Sequence, residues 1–301
     1  MDQLDELRLF LAIADTGSFV AGGRQSGRSP SSTTRILSEM EQRLGVRLLQ
    51  RTTRKLSLTD AGTRLAEQSR RLLADFDESM NYVVGETKVL RGLVRLSAPM
   101  FFGRRHLAPI VSDFLDLHPE ITAQLSLADD LADLIEERVD VALRIGQLEN
   151  SSLMSKRVGQ VSRIVVASPD YLREHGTPRT PDDLVRHRAV LFINHASNPA
   201  WTFQRKDRTQ WSVKVPGRIE VNRAEVAITL AQSGKGLTRV LSYQVAPELK
   251  DGSLVRVLKT YELPPLPIHL VYASARLLAP RVRAFLDFAS DKIARLALDR
   301  I

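Results

Sequence analysis

Between Gly17 and Gly45 the chain is punctuated so tightly that two short helices can begin and end in only one way. Upstream, Leu4, Leu7, Leu11 and Ala14 recur at spacings of three and four, which predicts an amphipathic helix that stops before Gly17. Ser18 suits a helix cap, and a second helix follows from Phe19 to about Ser26, with Phe19 turned toward the first. After Gly27-Arg28 comes Ser29-Pro30, where serine takes up free amides at a helix start and proline in the first position loses no hydrogen bond. Ile36, Leu37, Met40 and Leu44 give this third helix an apolar face until Gly45 ends it. Two helices on a short turn read as a helix-turn-helix. Its second helix opens with Ser29, Ser31, Ser32, Thr33, Thr34 and Arg35, short hydroxyls and a cation at the end where such helices meet base edges and phosphates.

Charge sharpens that expectation. The 301 residues carry 43 Lys and Arg against 35 Asp and Glu, a formal net charge of +8. Eight cations between Arg24 and Lys55 face only Glu39 and Glu41, so +6 of that excess sits in one short segment. Charge confined in this way is the footprint of a nucleic-acid module attached to something else; a solvated basic face is the plainer alternative. Arg47 to Arg51 and Lys55 to Leu58 are strand-like pieces around a turn, a wing whose Arg51, Thr52, Arg54 and Lys55 suit phosphates. Thr59 can cap a long helix reaching about Leu90, with Leu65, Leu72, Phe76, Met80, Val83 and Leu90 on one stripe. A stripe this long needs a second surface to cover it, and another copy of the same helix is the economical choice over packing onto its own chain.

From Leu93 onward, apolar strand-like runs alternate with helical segments. Strands are expected at Leu93 to Leu96, Ile121 to Leu127, Val141 to Ile145, Ile164 to Ala167, Val190 to Ile193, Leu237 to Leu241 and Ile268 to Tyr272. Helices are expected at Arg104 to Leu117, Leu131 to Glu137, Asp182 to His187, Ala224 to Gln232, Ser242 to Leu249 and Pro280 to Leu298. Such alternation implies parallel sheets covered on both faces, with ligands beyond the carboxyl ends of the strands. The candidates there are Ser97, Met100, Phe101, Phe102, Ala128, Arg144, Gly146 and Asn222. Arg144 offers a planar fork suited to a carboxylate, unless it serves an ion pair with Asp140 or Asp133; Ser97 can donate to a ligand or close a local turn.

Several chemistries are missing from the sequence. It has no cysteine, which excludes disulfides, thiol nucleophiles and cysteine-ligated metal. Its six histidines show no HExxH or close ligand pairing, and neither a GxSxG elbow nor a GxxxxGK[ST] loop occurs. No catalytic residue, cofactor or metal is therefore expected. Gly234 and Gly236 suit a helix-to-strand turn, and Trp201 and Trp211 flank a basic stretch that reads as a solvated hairpin. No apolar run approaches the roughly 18 residues of a membrane span. The acidic start, Met1 to Glu6, lacks an export signal, so a cytoplasmic location is expected.

The segment from Gly17 to Gly62 resembles the LysR-type family of bacterial transcription regulators. The match rests on GSF at Gly17 to Phe19, the capped SPSSTTR helix, and RLGVRLLQRTTRKLSLTDAG at Arg43 to Gly62. It continues through RLSAPMFFGRRHLAP at Arg95 to Pro109, DVALRIG at Asp140 to Gly146 and ASPDYL at Ala167 to Leu172, and fades between about Phe192 and Arg218. The resemblance implies an α+β multidomain chain: a winged helix-turn-helix over 1–59, a dimerising linker helix over 60–92, and an α/β effector domain similar to periplasmic solute-binding proteins over 93–301. Within the last, subdomain I takes 93–162 and 269–301 and subdomain II takes 163–268. It further implies a homo-oligomer, dimer or tetramer, on double-stranded DNA with an interrupted inverted repeat, controlled by a small-molecule effector that Arg144 suggests is an organic anion. Two departures stand out: Gly22-Gly23 replace customary alanines, which should make the second helix easier to fray, and Thr33-Thr34 replace the more usual Val and Ser. The rival readings are a solute-binding protein or Rossmann-type enzyme carrying an unrelated N-terminal adaptor, and a non-specific architectural DNA binder.

Overall fold

The computed structural model describes residues 2–51, 56–84, 89–129, 139–148, 153–193, 200–273 and 278–298, without the side chains at 51, 71, 78, 79 and 81–84. They form two compact units, Met1–Leu90 and Arg91–Ile301.

In the first unit, α1 (Gln3–Thr16) ends at Gly17, whose φ of 61° is the left-handed geometry that glycine tolerates best. Ser18 caps α2 (Phe19–Gln25) by accepting from the Ala21 amide, and Ser29 caps α3 (Pro30–Leu44) by accepting from the Ser32 amide. Strands β1 (Leu49–Arg51) and β2 (Leu56–Leu58) pair antiparallel, and α4 runs Asp60–Val84. Leu9, Phe10, Ile13, Ile36, Leu37, Met40, Leu48 and Leu49 close one core with Ala66 and Leu73 of α4. At about 1.5–3 kcal/mol per large buried apolar side chain, this core dominates the unit's stability. Three expectations need correction. Leu44, expected on the apolar face of α3, is 47% exposed. Val89 and Leu90 lie outside helix, so α4 does not reach Leu90. Gly22 and Gly23 are both buried: a Cβ on Gly22 would strike the Ile13 backbone, and one on Gly23 would strike the Thr33 side chain. Alanine at either place would keep these helices apart.

The second unit opens with β3 (Gly92–Ala98), whose end feeds α5 (Met100–Phe102), a π-helical turn Gly103–Leu107 and α6 (Ala108–Leu117). Strands β4 (Ile121–Leu127), β5 (Val141–Ile145) and β6 (Met154–Val161) follow. The chain then crosses into a second set of elements: β7 (Arg163–Ala167), α7 (Pro169–His175), a 3-10 turn Pro181–Arg186, β8 (Ala189–Phe192), β9 (Ala200–Gln204), β10 (Gln210–Lys214), β11 (Gly217–Val221), α8 (Ala224–Gln232), β12 (Thr238–Leu241), α9 (Ala246–Asp251) and β13 (Val255–Val257). It returns through β14 (Leu266–Tyr272) and ends in α10 (Pro280–Arg295).

A five-stranded sheet has the order β4-β3-β5-β14-β6 and a three-stranded sheet the order β12-β7-β13. Neither is all-parallel, contrary to the alternation argument. β3 runs parallel to β4 and β5, but β14 is antiparallel to both β5 and β6, and β7 is antiparallel to β12 and β13. The reason is the double crossing: β14 re-enters the first sheet from the far side of the second set. Because β14 begins at Leu266, residues 266–268 belong to the first sheet rather than to the second subdomain. Residues 242–249 are a 3-10 turn Ser242–Val245 leading into α9, and 181–186 are 3-10, where α-helix was expected. The expected helix from Leu131 to Glu137 lies outside the described residues. The hairpin β9–β10 is solvated only at its turn, since Trp201, Phe203, Val213 and Val215 belong to the core of the second set. Gly234 (φ 72°) and Gly236 (φ 151°) form the turn between α8 and β12, as expected.

Candidate DNA-binding face and effector cleft

The start of α3 exposes Ser29, Ser31, Thr34 and Arg35, with Ser32 half-buried. The Ser29 hydroxyl, besides capping, lies 3.2 Å from the Ser31 hydroxyl; Thr34 Oγ1 donates to the Pro30 carbonyl at 3.1 Å. Arg35 pairs with Glu39 at 2.8 Å with both side chains exposed, a bond weak enough to exchange for a phosphate. Thr33 differs from the others. It is fully buried, and its Oγ1 donates to the Ser29 carbonyl at 2.9 Å, so it is removed from the candidate contact set and placed in the α2–α3 packing. Helical amides at this end remain an electropositive anchor for a phosphate oxygen.

Wing residues Thr52, Arg54 and Lys55, and the Arg51 side chain, lie outside the described residues. What holds the wing's base is described. Glu41, on the far end of α3, accepts from the Leu48 and Leu49 amides at 2.7 and 3.1 Å, and Thr59 Oγ1 donates to the Arg47 carbonyl at 2.7 Å while accepting from the Gly62 amide at 3.0 Å. Glu41 counted only as a charge in the sequence; its capping of a strand start depends on a turn that no spacing reveals. Arg43 pairs with Glu6 of α1, which withdraws one cation from the exposed basic set and raises its pKa through that bond. Arg8 pairs with Asp77 at 2.7 Å, and Arg70 pairs with Asp15, tying α1 to α4. On α4, Leu72, Phe76 and Met80 are 50, 40 and 51% exposed, at successive spacings of four residues. Leu65 is half-buried on the unit's own core, and Val83 is among the side chains not described.

In the second unit, Ser97 and Arg144 sit one residue before the ends of the parallel strands β3 and β5, both buried, with Arg144 Nη1 3.5 Å from Ser97 Oγ. Adjacent parallel strands bring the pair together. Asp140 accepts from the Arg95 amide at 2.8 Å; Asp133 lies outside the described residues. Across the sheet, His269 stands in register with Arg144 on one side and Arg157 on the other. Burial first, then the Arg157 charge, lower the His269 pKa, and its buried Nδ1 has no hydrogen-bond partner. Strand register sets this neighbour, more than a hundred residues away in sequence, and local patterns carry no trace of it.

A second group forms around Asp129. It accepts from the Met100 amide at 3.0 Å and lies 3.6 Å from the Arg223 guanidinium, while Ala128 precedes it and exposed Asn222 precedes Arg223. Arg104 of the π-turn pairs with Glu225 of α8 at 2.9 Å. The two ion pairs are reciprocal: each set of elements gives the other one cation and one carboxylate. Phe101 and Phe102 are turned inward onto Tyr243 at centroid distances of 5.7 and 5.4 Å; Phe102 also meets His106 at 5.1 Å. Phe102 is fully buried, so it packs the core instead of lining a cleft. Burial, with the Asp129 charge behind it, raises the Tyr243 pKa, and burial then Arg105 lower that of His106. Gly146, half-buried with φ 126°, donates from its amide to the Pro267 carbonyl at 2.9 Å and leaves open space where a Cβ would stand. Among the described residues no group of three or more histidines and carboxylates is placed to hold a metal.

Comparison with known proteins covers both units. Residues 4–63 match the bacterial regulatory helix-turn-helix protein, lysR family, and residues 87–294 match the LysR substrate binding domain. An uncharacterized HTH-type transcriptional regulator of Haemophilus influenzae is 33% identical over 94% of this chain and 98% of its own. The HTH-type transcriptional regulator PtxR of Pseudomonas aeruginosa is 32% identical over 97% of this chain and 93% of its own. Among solved structures, CrgA, a LysR-type transcriptional regulator from Neisseria meningitidis, is 29% identical with a TM-score of 0.62, covering 96% of this chain and 98% of that one.

Proposed function

The chain belongs to the LysR family of bacterial helix-turn-helix regulators, and on that premise we propose how its residues divide the work of a transcription regulator. It is a DNA-binding transcription regulator with an effector-binding domain, and regulators of this kind bind DNA and small molecules and work as oligomers. The relatives carry both modules in one chain, which removes the reading of a solute-binding protein or enzyme with an unrelated adaptor. In the proposed division, 1–59 bind DNA, 60–92 join two copies, and 93–301 bind the effector in the cytoplasm without catalysing a reaction. No helix among the described residues is long and apolar enough to cross a membrane.

Ser29, Ser31, Ser32, Thr34 and Arg35 enter a major groove, while Arg51, Thr52, Arg54 and Lys55 hold adjacent phosphates. The exposed stripe Leu72, Phe76 and Met80 supports pairing of α4 with its copy, which sets two winged modules on an interrupted inverted repeat, as a dimer or a tetramer of such dimers. The effector is an organic anion held at Ser97, Arg144 and Gly146, with Met100, Phe101, Ala128 and Asn222 at the border. One observation carries this: a buried guanidinium and a hydroxyl converge at the carboxyl ends of adjacent parallel strands, where ligands of such sheets bind. Effector binding acts by favouring one arrangement of the two sheets, since only differential affinity shifts a population.

A panel of small carboxylates, screened by thermal shift against the full chain and against Arg144→Ala, tests the cleft. At least one should raise the melting temperature of the parent and leave Arg144→Ala unmoved, with DNA affinity retained in both. Equal shifts in the two proteins would remove Arg144 from the site. No shift in the parent would take the effector out of the carboxylate class.

A further inference from the structure

Arg163 opens β7, and Arg239 lies on the adjacent strand β12 opposite Val165, so both guanidiniums rise from the same face of the three-stranded sheet. Thr202 and Phe203 of the β9–β10 hairpin, with Val165, Leu258, Glu262 and Leu263, complete a recess around them. Arg163 keeps access to solvent and Arg239 is half-buried, yet the enclosing walls desolvate both. Burial lowers the Arg163 pKa; burial, then the nearby Arg163 charge, brings Arg239 down to about 9.

Nothing in the described chain neutralises this pair. Glu262, the carboxylate of the recess, is engaged by Arg256, which donates from Nε at 2.7 Å and from Nη2 at 2.5 Å. Arg239 lies over the Trp201 ring at 5.4 Å, a contact that fixes the guanidinium plane without cancelling its charge. Two like charges held together in a recess cost free energy unless an anion joins them, and a planar fork binds oxygen pairs with good geometry. We propose that this recess is a second ligand site, separate from the Ser97–Arg144 cleft, which takes a doubly charged oxyanion between Arg163 and Arg239. Two charges call for a dianion, and the walls of Val165, Phe203, Leu258 and Leu263 admit an apolar stem behind it. A phosphoryl group and a dicarboxylate share this chemistry.

Calorimetric titration of the full chain with inorganic phosphate and, separately, succinate at matched ionic strength tests the site. One or both should bind saturably. Arg163→Met and Arg239→Met, which keep most of the aliphatic stem, should each lose at least about tenfold in affinity, a difference near 1.4 kcal/mol. Arg144→Ala should bind as the parent does, which separates this site from the cleft. Phosphate binding alone identifies a phosphoryl ligand, and succinate alone a dicarboxylate. Arg239→Lys, which keeps the charge, should retain part of the affinity and guards against misreading a misfolded variant. Absence of saturable binding to either anion, binding undiminished in both methionine variants, or binding lost in Arg144→Ala would each overturn the proposal.

Discussion

A Cβ on Gly22 would stand 2.6 Å from the Ile13 amide nitrogen, closer than real Cβ atoms come to anything. Helix propensity alone favours alanine there by about 1 kcal/mol. Overpacking a closed contact costs about 1–3 kcal/mol, so Gly22→Ala should destabilise the first unit, seen as faster hydrogen exchange across α1–α3. Slower exchange would mean that the helices separate at little cost. Gly23 and Thr33 are a matched pair, because the Thr33 hydroxyl occupies the space of the absent Cβ. Gly23→Ala should be poorly tolerated alone and markedly better tolerated beside Thr33→Ala; additive effects would show that the two do not share that space. These residues mark the limit of a linear reading. Thr33 looks like its hydroxyl neighbours in sequence, but only the close crossing of α2 and α3 tells which of them points inward. Ser18, Ser29 and the glycines at 17 and 45 were legible because capping is settled within three residues of the cap.

The helices of the first unit follow their apolar spacing almost to the residue, since local periodicity and caps agree. Sheets do not share that property: runs such as Val141–Ile145 announce a strand, but neighbour and direction come from chain crossings that lie outside any window. The same limit hid His269, Glu41 and the reciprocal pairs Arg104–Glu225 and Arg223–Asp129. On α4, the exposed Leu72, Phe76 and Met80 predict that Phe76→Glu with Met80→Glu shifts sedimentation toward a smaller species. An unchanged assembly would mean that this stripe is covered in some other way. On the wing, Arg51→Ala should weaken binding to every duplex and reduce the salt slope by about 0.9 per wing, the share of one phosphate contact. An unaltered slope would make Arg51 structural.

Across the whole molecule, three buried or half-buried histidines bear on stability. Burial lowers the pKa of His106, His187 and His269 from 6.5, so each binds protons more readily in the unfolded chain. Stability from these groups is complete above pH 6.5 and falls as the pH drops toward the depressed folded values. Melting temperature should therefore decline on mild acidification, and less so in His106→Phe; a flat profile between neutral pH and about 5.5 would contradict this. Function at this scale rests on a basic reading unit that is joined to a ligand-responsive one. The central claim is that this protein recognises a particular DNA sequence through two winged modules and not duplex DNA in general. Its most direct test titrates the full chain against the upstream region of its own gene and against a random duplex of equal length at two salt concentrations, with nuclease protection of the bound sites. The account predicts preferential binding with two protected half-sites about a helical turn or a multiple apart. Equal affinity for both duplexes at matched salt, after bound sites across the genome have been surveyed with the same result, would contradict it.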